Sequence, residues 1–134
     1  MTTSPVSEQA FFVLSALAVT PLHGYAILSE VADLSEGRLR LAVGTLYGIL
    51  DRLASDGSIE LDREEIVDSR LRRYYRLTNA GQNTLTRETA RQAANARMAT
   101  ARLAAVPITP YMSSLCHALS HTRSPSLATA RNSS

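Results

Sequence analysis

Residues 41–57 of this 134-residue chain have the sequence LAVGTLYGILDRLASDG, and the spacing of the apolar residues in this stretch decides the fold. These residues recur every three or four positions, which is the spacing of one helix face. We therefore predict a helix over Val43–Asp56 that ends at Gly57. Its inward face consists of Leu46, Ile49, Leu50 and Leu53, and its outward surface includes Thr45, Tyr47, Gly48, Asp51 and Arg52.

A basic hairpin is predicted directly after this helix. Ile59–Val67 and Leu71–Leu77 have the composition of strands, and the turn-prone pair Asp68-Ser69 lies between them. Residues 70–76, RLRRYYR, contain no acid. Three arginines are expected to cluster near the tip of the hairpin: Arg70, Arg72 and Arg73.

Two further helices precede these elements. The first is predicted over Val6–Val19 with Ser7 as its cap, and the second over Tyr25–Leu34 with Gly37 ending it. Residues 38–41, RLRL, alternate between polar and apolar, which predicts a very short strand. The order helix, helix, short strand, helix, hairpin is that of a winged helix-turn-helix. The predicted fold class is therefore mainly α with a small β-hairpin.

A long fourth helix is predicted from Thr78 until Pro107 stops it. A helix of this length exceeds a small domain, so we expect it to pair with a second copy of the chain. The predicted organisation is a winged-helix domain at 1–77, a dimerisation helix at 78–106, and a tail at 107–134 with a short amphipathic helix at 111–120. The expected dimer contacts are Leu85, Ala94, Met98, Ala101 and Leu103.

Composition excludes several other classes of protein. The chain is 45% hydrophobic and long enough for one domain with an appendage, but it has no window of the ~20 apolar residues that a membrane span needs. The N-terminus lacks the pattern of an export signal, and a single cysteine forms no intrachain disulfide, so we expect a cytoplasmic protein. No phosphate loop or catalytic constellation is present. We expect neither an enzyme nor a cofactor.

Double-stranded DNA is the partner that these elements favour. In a winged helix-turn-helix the third helix enters the major groove, and Thr45 and Tyr47 lie near its N-terminus, where free backbone N–H groups attract phosphate. The hairpin is the wing, and its arginines are placed to neutralise phosphates or to enter a minor groove. The net charge of +2 is modest, so its concentration in the second half of the chain matters more than its sum.

The residues also resemble the PadR family of bacterial transcriptional regulators. The resemblance covers roughly residues 10–85 and rests on the segments PLHGY (21–25), GTLY (44–47), Leu50-x-Arg52-Leu53, Asp56-Gly57 and RRYYRLTxAG (72–81). It implies a winged-helix homodimer, usually a repressor, whose C-terminal helix supplies most of the dimer contact. It also implies DNA contacts by Tyr25, Thr45, Tyr47, Arg70, Arg72 and Arg73. We further expect an inverted-repeat operator and a small-molecule effector that alters the angle between the fourth helices.

This chain departs from the family pattern at two places. Ala42-Val43 stands where Ser-Pro often precedes the GTLY segment, which removes a side-chain cap worth ~1 kcal/mol. Gly48 stands where proline often follows the tyrosine, and a glycine inside a helix costs roughly 1 kcal/mol relative to alanine. Either the neighbouring elements hold this helix in place, or the DNA backbone approaches closely at Gly48. We include Gly48, and Arg52 on the same outward surface, among the expected DNA contacts.

Two other functions stay open at this point. A winged helix can serve as a protein-interaction module that binds no DNA. Alternatively, the regulator responds to a metal or to oxidation through Cys116, His117 and His121, since two of these side chains are four residues apart on the predicted tail helix. We expect no metal site, because three potential ligands in a serine-rich tail rarely form one.

Overall fold

The computed structural model describes residues 6–107, and the predicted tail helix with Cys116, His117 and His121 lies outside them. In chain order the elements are α1 (Glu8–Ala16), β1 (Leu22–His23), α2 (Gly24–Leu34), α3 (Val43–Ser55), β2 (Ile59–Val67), β3 (Arg70–Leu77) and α4 (Asn79–Ala104). The fold is mainly α with one small antiparallel sheet, as predicted. Two compact units are distinguished along the chain, one ending at Ala94 and the other beginning at Asn95.

The core of the first unit is built from the inward faces of the first three helices. Leu46 and Leu50 of α3 are almost fully buried, together with Leu14 of α1 and Ile27 of α2. Ser7 caps α1 by accepting a hydrogen bond from the backbone N–H of Ala10 at 3.1 Å, as predicted. The packing fixes α3 relative to α1 and α2, so the outward surface of α3 has a defined orientation.

The predicted strand at residues 38–41 is wrong, because this segment is an irregular connection between α2 and α3. The backbone N–H of Leu39 donates to the buried hydroxyl of Ser35 at 2.9 Å, and not to a backbone carbonyl of a neighbouring strand. Leu39 and Leu41 pack against the core, which explains the alternating pattern. The edge of the sheet is occupied by β1, which pairs with β3 through Leu22 opposite Tyr75.

The sheet has the order β1-β3-β2, and the hairpin β2–β3 is the wing (residues 59–77). Asp68 and Ser69 form its two-residue turn with φ of 52° and 65°, which matches a type I′ turn. From this turn the register places Glu64 opposite Arg73 and Ile66 opposite Leu71. An irregularity between Leu61 and Arg63 then shifts the register by one residue.

The first half of α4 is fixed to the winged-helix unit. Thr78 caps it, since the backbone N–H of Gly81 donates to the Thr78 hydroxyl at 3.0 Å, while that hydroxyl donates to the carbonyl of Gly57 at 2.6 Å. Gly81 allows close contact with the backbone of Ser58, where a Cβ atom would clash. Glu88, the one charged side chain that is buried among residues 6–107, accepts hydrogen bonds from Arg91 and Gln92.

The second unit contains the far half of α4. From Asn95 to Pro107 every side chain is exposed, including Met98 at 57% and Leu103 at 66%. Among residues 6–107, no helix combines the length and apolar character that crossing a membrane requires.

Candidate nucleic-acid interface

A concave surface between the start of α2, the start of α3 and the wing brings together five of the eight predicted DNA contacts. We call it the wing groove; its volume is about 490 Å³. The predicted contacts that line it are Tyr25, Tyr47, Arg70, Arg72 and Arg73. Residues that are distant in the sequence thus form one surface, because α2 and α3 pack on the sheet that carries the wing.

Tyr47 is held in place by α2. A Cβ atom added to Gly24 would lie 2.8 Å from the Tyr47 hydroxyl oxygen, so a side chain at the start of α2 would displace the end of this ring. Tyr47 nevertheless stays 45% exposed, and the neighbouring Tyr25 is 68% exposed. Two tyrosine rings are therefore presented at the groove without being part of the core.

Thr45, Gly48 and Arg52 are the three predicted contacts that do not line the groove. All three are exposed on α3. A Cβ atom at Gly48 would meet nothing within 4 Å, so the helix backbone is open to close approach there. The N-cap residue Ala42 makes no side-chain cap hydrogen bond, as the sequence predicted. The first backbone N–H groups of α3 are thus available to an external anion.

The wing arginines differ in their pairing. Arg73 donates from Nε to a Glu64 carboxylate oxygen at 3.0 Å, across the two strands. Among residues 6–107, Arg70 and Arg72 have no carboxylate within 4.0 Å. Sequence reasoning treated the three as equivalent because no acid separates them along the chain. Of these three arginines, only Arg70 and Arg72 carry charge that no carboxylate of the described residues neutralises by direct contact.

A chain of ion pairs on the wing was missed from the sequence. Arg63 pairs with Asp62 at 3.0 Å and with Glu65 at 2.9 Å, and its guanidinium lies 3.9 Å from the centre of the Tyr74 ring. Arg76 contacts the carboxylates of Glu60 and Asp62. The signal was present in the alternation of acids in β2 with arginines in β3. These pairs remove two arginines, Arg63 and Arg76, from the set available to phosphate.

His23 and Tyr75 connect the wing to α2 and α3. The His23 ring makes an edge contact with Tyr74, with centroids 5.3 Å apart. Burial lowers the His23 pKa below 6.5, and the charge of Arg72 lowers it further, against an opposing effect of Glu65. Burial raises the pKa of Tyr75, which packs against the core and is influenced by Arg73, Tyr47 and Asp51. Both side chains are thus held uncharged near neutral pH.

The expected dimer residues have two different environments. Leu85 packs against the core of its own winged-helix unit. The remaining four are exposed on α4: Ala94, Met98, Ala101 and Leu103. Among the described residues no group of three or more His, Cys, Asp and Glu side chains is placed to hold a metal ion.

Comparison with known proteins gives consistent results. Residues 13–87, more than half of the chain, match the model of the transcriptional regulator PadR-like family. The chain is 38% identical over 76 residues to the transcriptional regulator Rv3488 of Mycobacterium tuberculosis, covering 57% of this chain and 67% of that protein.

Solved structures share the fold. A PadR family regulator from Eggerthella lenta superposes with a TM-score of 0.59 at 29% identity, covering 74% of this chain and 83% of that chain. Bacillus subtilis PadR, solved in complex with operator DNA, gives a TM-score of 0.54 at 23% identity, covering 60% of this chain and 46% of that chain. The architecture derived above is therefore shared with these regulators. On the strength of the family match and the 38% identical relative, this chain belongs to the PadR-like family of transcriptional regulators.

Proposed function

We propose that this protein is a sequence-specific DNA-binding regulator, a cytoplasmic repressor that acts as a homodimer on an inverted-repeat operator. The observation that carries the proposal is the wing groove, where two exposed tyrosines face the same space as two arginines that have no carboxylate partner among residues 6–107. Arginine forks suit phosphate oxygens, and the start of α3 offers unpaired backbone N–H groups beside them. Bacillus subtilis PadR, which shares the fold, has been solved with operator DNA.

In this proposal α3 and the wing have different tasks. Thr45, Gly48 and Arg52 lie on the outward surface of α3 and would meet base edges in the major groove. Arg70 and Arg72 on the wing would meet phosphates, which position the protein without selecting sequence. Arg73 is held by Glu64 and contributes less, because a phosphate would have to displace a carboxylate.

The test is a selection from a pool of randomised duplex DNA. Wild-type protein should enrich an inverted repeat with half-sites about one helical turn apart, or a multiple of that distance. A Thr45→Val variant should enrich a different sequence, because it removes a hydroxyl at the base edges. An Arg70→Gln variant should enrich the same sequence with weaker binding. Failure of the wild type to enrich any duplex would instead favour a protein-interaction module.

Homodimerisation is proposed from the exposed half of α4. A helix needs tertiary packing to be stable, and from Ala94 to Leu103 this one exposes apolar side chains, mostly small, that a second copy would cover. The interface proposed here consists of Ala94, Met98, Ala101 and Leu103, with Leu85 anchoring the helix to its own unit.

Light scattering at micromolar concentration tests the dimer. The wild type should have twice the mass of the chain, and a Met98→Glu/Leu103→Glu variant should be monomeric, because two buried carboxylates without partners are strongly unfavourable in an interface. Leu34→Glu, at an exposed apolar side chain of α2, should remain dimeric. A monomeric wild type would refute the role given to α4.

A small-molecule effector is proposed for the cleft between the end of α1 and the first half of α4. The cleft has a volume of about 800 Å³, within the range of ligand sites, and its apolar lining includes Leu17, Leu77 and Leu85. A filled cleft would shift α4 and with it the spacing of the two reading helices. Ala90→Phe, which occupies the cleft, should mimic the effector: operator affinity should fall without any added compound, and a reporter strain should be derepressed.

A further inference from the structure

Two neighbouring glutamates of β2 lie opposite two neighbouring arginines of β3, but only one of the two ion pairs forms. Glu64 is opposite Arg73, and the Arg73 Nε donates to its carboxylate at 3.0 Å. Glu65 is opposite Arg72, yet these two side chains form no ion pair. Directly opposite side chains on a hairpin lie close enough for long charged groups to meet. Another group must therefore compete with Arg72 for Glu65.

That competitor is Arg63. Its Nε donates to a carboxylate oxygen of Glu65 at 2.9 Å. Residues two apart in a strand point to the same face of the sheet, so Arg63, Glu65 and the opposite Arg72 share one face. The pKa of His23 responds to both charges, because Arg72 lowers it and Glu65 raises it. The carboxylate that would neutralise Arg72 is thus within its reach but is bound by Arg63.

A row of side chains across the three strands holds Arg63 in this position. Its guanidinium lies 3.9 Å from the centre of the Tyr74 ring, which is opposite it in the register and forms a favourable cation–π contact. On β1, His23 is opposite Tyr74 and touches it edge-on. Arg63 also donates to the Asp62 carboxylate at 3.0 Å. The ring and this second carboxylate fix the guanidinium with its Nε directed at Glu65.

We propose that Arg63 is a positioning residue for DNA binding, which keeps Arg72 available to a phosphate by holding Glu65 and does not itself touch DNA. The inference rests on the proposed function and deepens it. Without Arg63, the Glu65 carboxylate would pair with Arg72, as Glu64 already does with Arg73. A phosphate would then have to displace a carboxylate from Arg72.

The test measures how affinity for the selected duplex depends on salt, with the full-length protein. Arg63→Gln should reduce the steepness of log K against log salt by ~0.9, because one phosphate contact is lost when Glu65 captures Arg72. Arg63→Gln/Glu65→Gln should restore the wild-type steepness, because the competing carboxylate is gone. A role of Arg63 in wing stability alone would not produce this rescue.

Two variants control for charge and for the loss of the side chain. Arg76→Gln removes the same charge from the same face of β3, where the arginine is engaged by Glu60 and Asp62, and it should keep the wild-type steepness. Arg63→Lys keeps a cation beside Glu65, so it should keep the wild-type steepness as well.

A crystal structure of Arg63→Gln without DNA tests the same claim independently of binding. The Glu65 carboxylate should lie at ion-pair distance from Arg72. A carboxylate that stays away from Arg72, or an Arg63→Gln protein with the wild-type steepness, would overturn the positioning role and leave the proposed function intact. Equal reductions in the single and double variants would overturn it too, because Arg63 would then hold a phosphate itself. A wild type that selects no duplex would overturn both.

Discussion

At the scale of single residues, the function proposed here depends on side chains that the core does not use. Gly48 shows this most clearly. It weakens α3, yet a Cβ atom at this position would meet nothing within 4 Å, so packing within the winged-helix unit gives no reason for a glycine. Close approach of a DNA backbone or base edge is a sufficient reason. The sequence predicted this glycine as a contact, but only the structure shows that the space beside it is open.

The substitution Gly48→Ala should separate stability from binding. The variant should gain about 1 kcal/mol in free energy of unfolding, because alanine favours the helix and has room. Its affinity for the selected duplex should fall, because the added methyl group keeps the DNA away from α3. Chemical denaturation and anisotropy titration measure the two effects. Ser55→Ala at the end of α3 is the control for helix propensity, and tighter binding by Gly48→Ala would contradict the close approach.

His23 should make a small, measurable contribution to the pH dependence of stability. Because burial and Arg72 lower its pKa in the folded state, the unfolded chain binds more protons as the pH falls through 6.5. Unfolding free energy should therefore decrease with falling pH in that window and level off below the folded-state pKa. His23→Phe keeps an aromatic ring against Tyr74 and removes the titration. Its thermal midpoint should depend less on pH than that of the wild type; identical pH profiles would exclude this role.

At the level of secondary-structure elements, the wing shows which features could be predicted from the sequence and which could not. The turn at Asp68-Ser69 was predicted, and counting outward from a two-residue turn pairs Glu64 with Arg73. That ion pair could therefore have been predicted from the sequence. The irregularity between Leu61 and Arg63 could not, because an extra residue in one strand does not change the composition of the strand in a recognisable way. The short strand was predicted at residues 38–41, whereas the strand at the edge of the sheet is β1. Packing decides which segment pairs with a sheet edge, and the local sequence does not show it.

The turn itself is strained in a way that can be relieved. Ser69 has φ of 65°, a conformation that glycine adopts at little cost. Ser69→Gly should raise the free energy of unfolding by about 0.5–1 kcal/mol, after allowance for the greater freedom of glycine in the unfolded chain. The same change in a helix, Ser55→Gly, should lower it. A destabilised Ser69→Gly protein would show that the turn is not under strain.

The junction of α4 with the winged-helix unit depends on Glu88. Its carboxylate accepts hydrogen bonds from Arg91 and Gln92, and the bond to Arg91 is the main reason that its pKa lies below the ordinary value. Such a group stabilises the fold above pH 4.5, and the stabilisation is lost as the pH falls through the depressed pKa.

Glu88→Gln should therefore lose ~1.5–3 kcal/mol of unfolding free energy at neutral pH, the range for hydrogen bonds to a charged group. The difference from the wild type should shrink in acid, which denaturation at both pH values would measure. Thr86→Val, at an exposed position of the same helix, serves for comparison. A deficit that is equally large in acid would indicate a packing defect instead of a lost charge interaction.

At the scale of the whole molecule, the order of the helices and the wing followed from periodicity and turn residues, because these are local properties of the chain. The wing groove could not be predicted in this way, because it forms only when packing brings α2, α3 and the wing together. Five of the eight predicted DNA contacts line it, and the other three lie on the exposed surface of α3. We propose that Arg70 and Arg72, unlike the paired arginines, hold DNA phosphates.

The most direct test of this claim is the salt dependence of affinity for the selected duplex. Each phosphate contact contributes ~0.9 to the steepness of log K against log salt. Arg70→Gln/Arg72→Gln should reduce the steepness by ~2. Arg76→Gln, which removes an arginine already paired with Glu60 and Asp62, should leave it unchanged. Equal slopes for the wild type and the Arg70→Gln/Arg72→Gln protein would contradict the account.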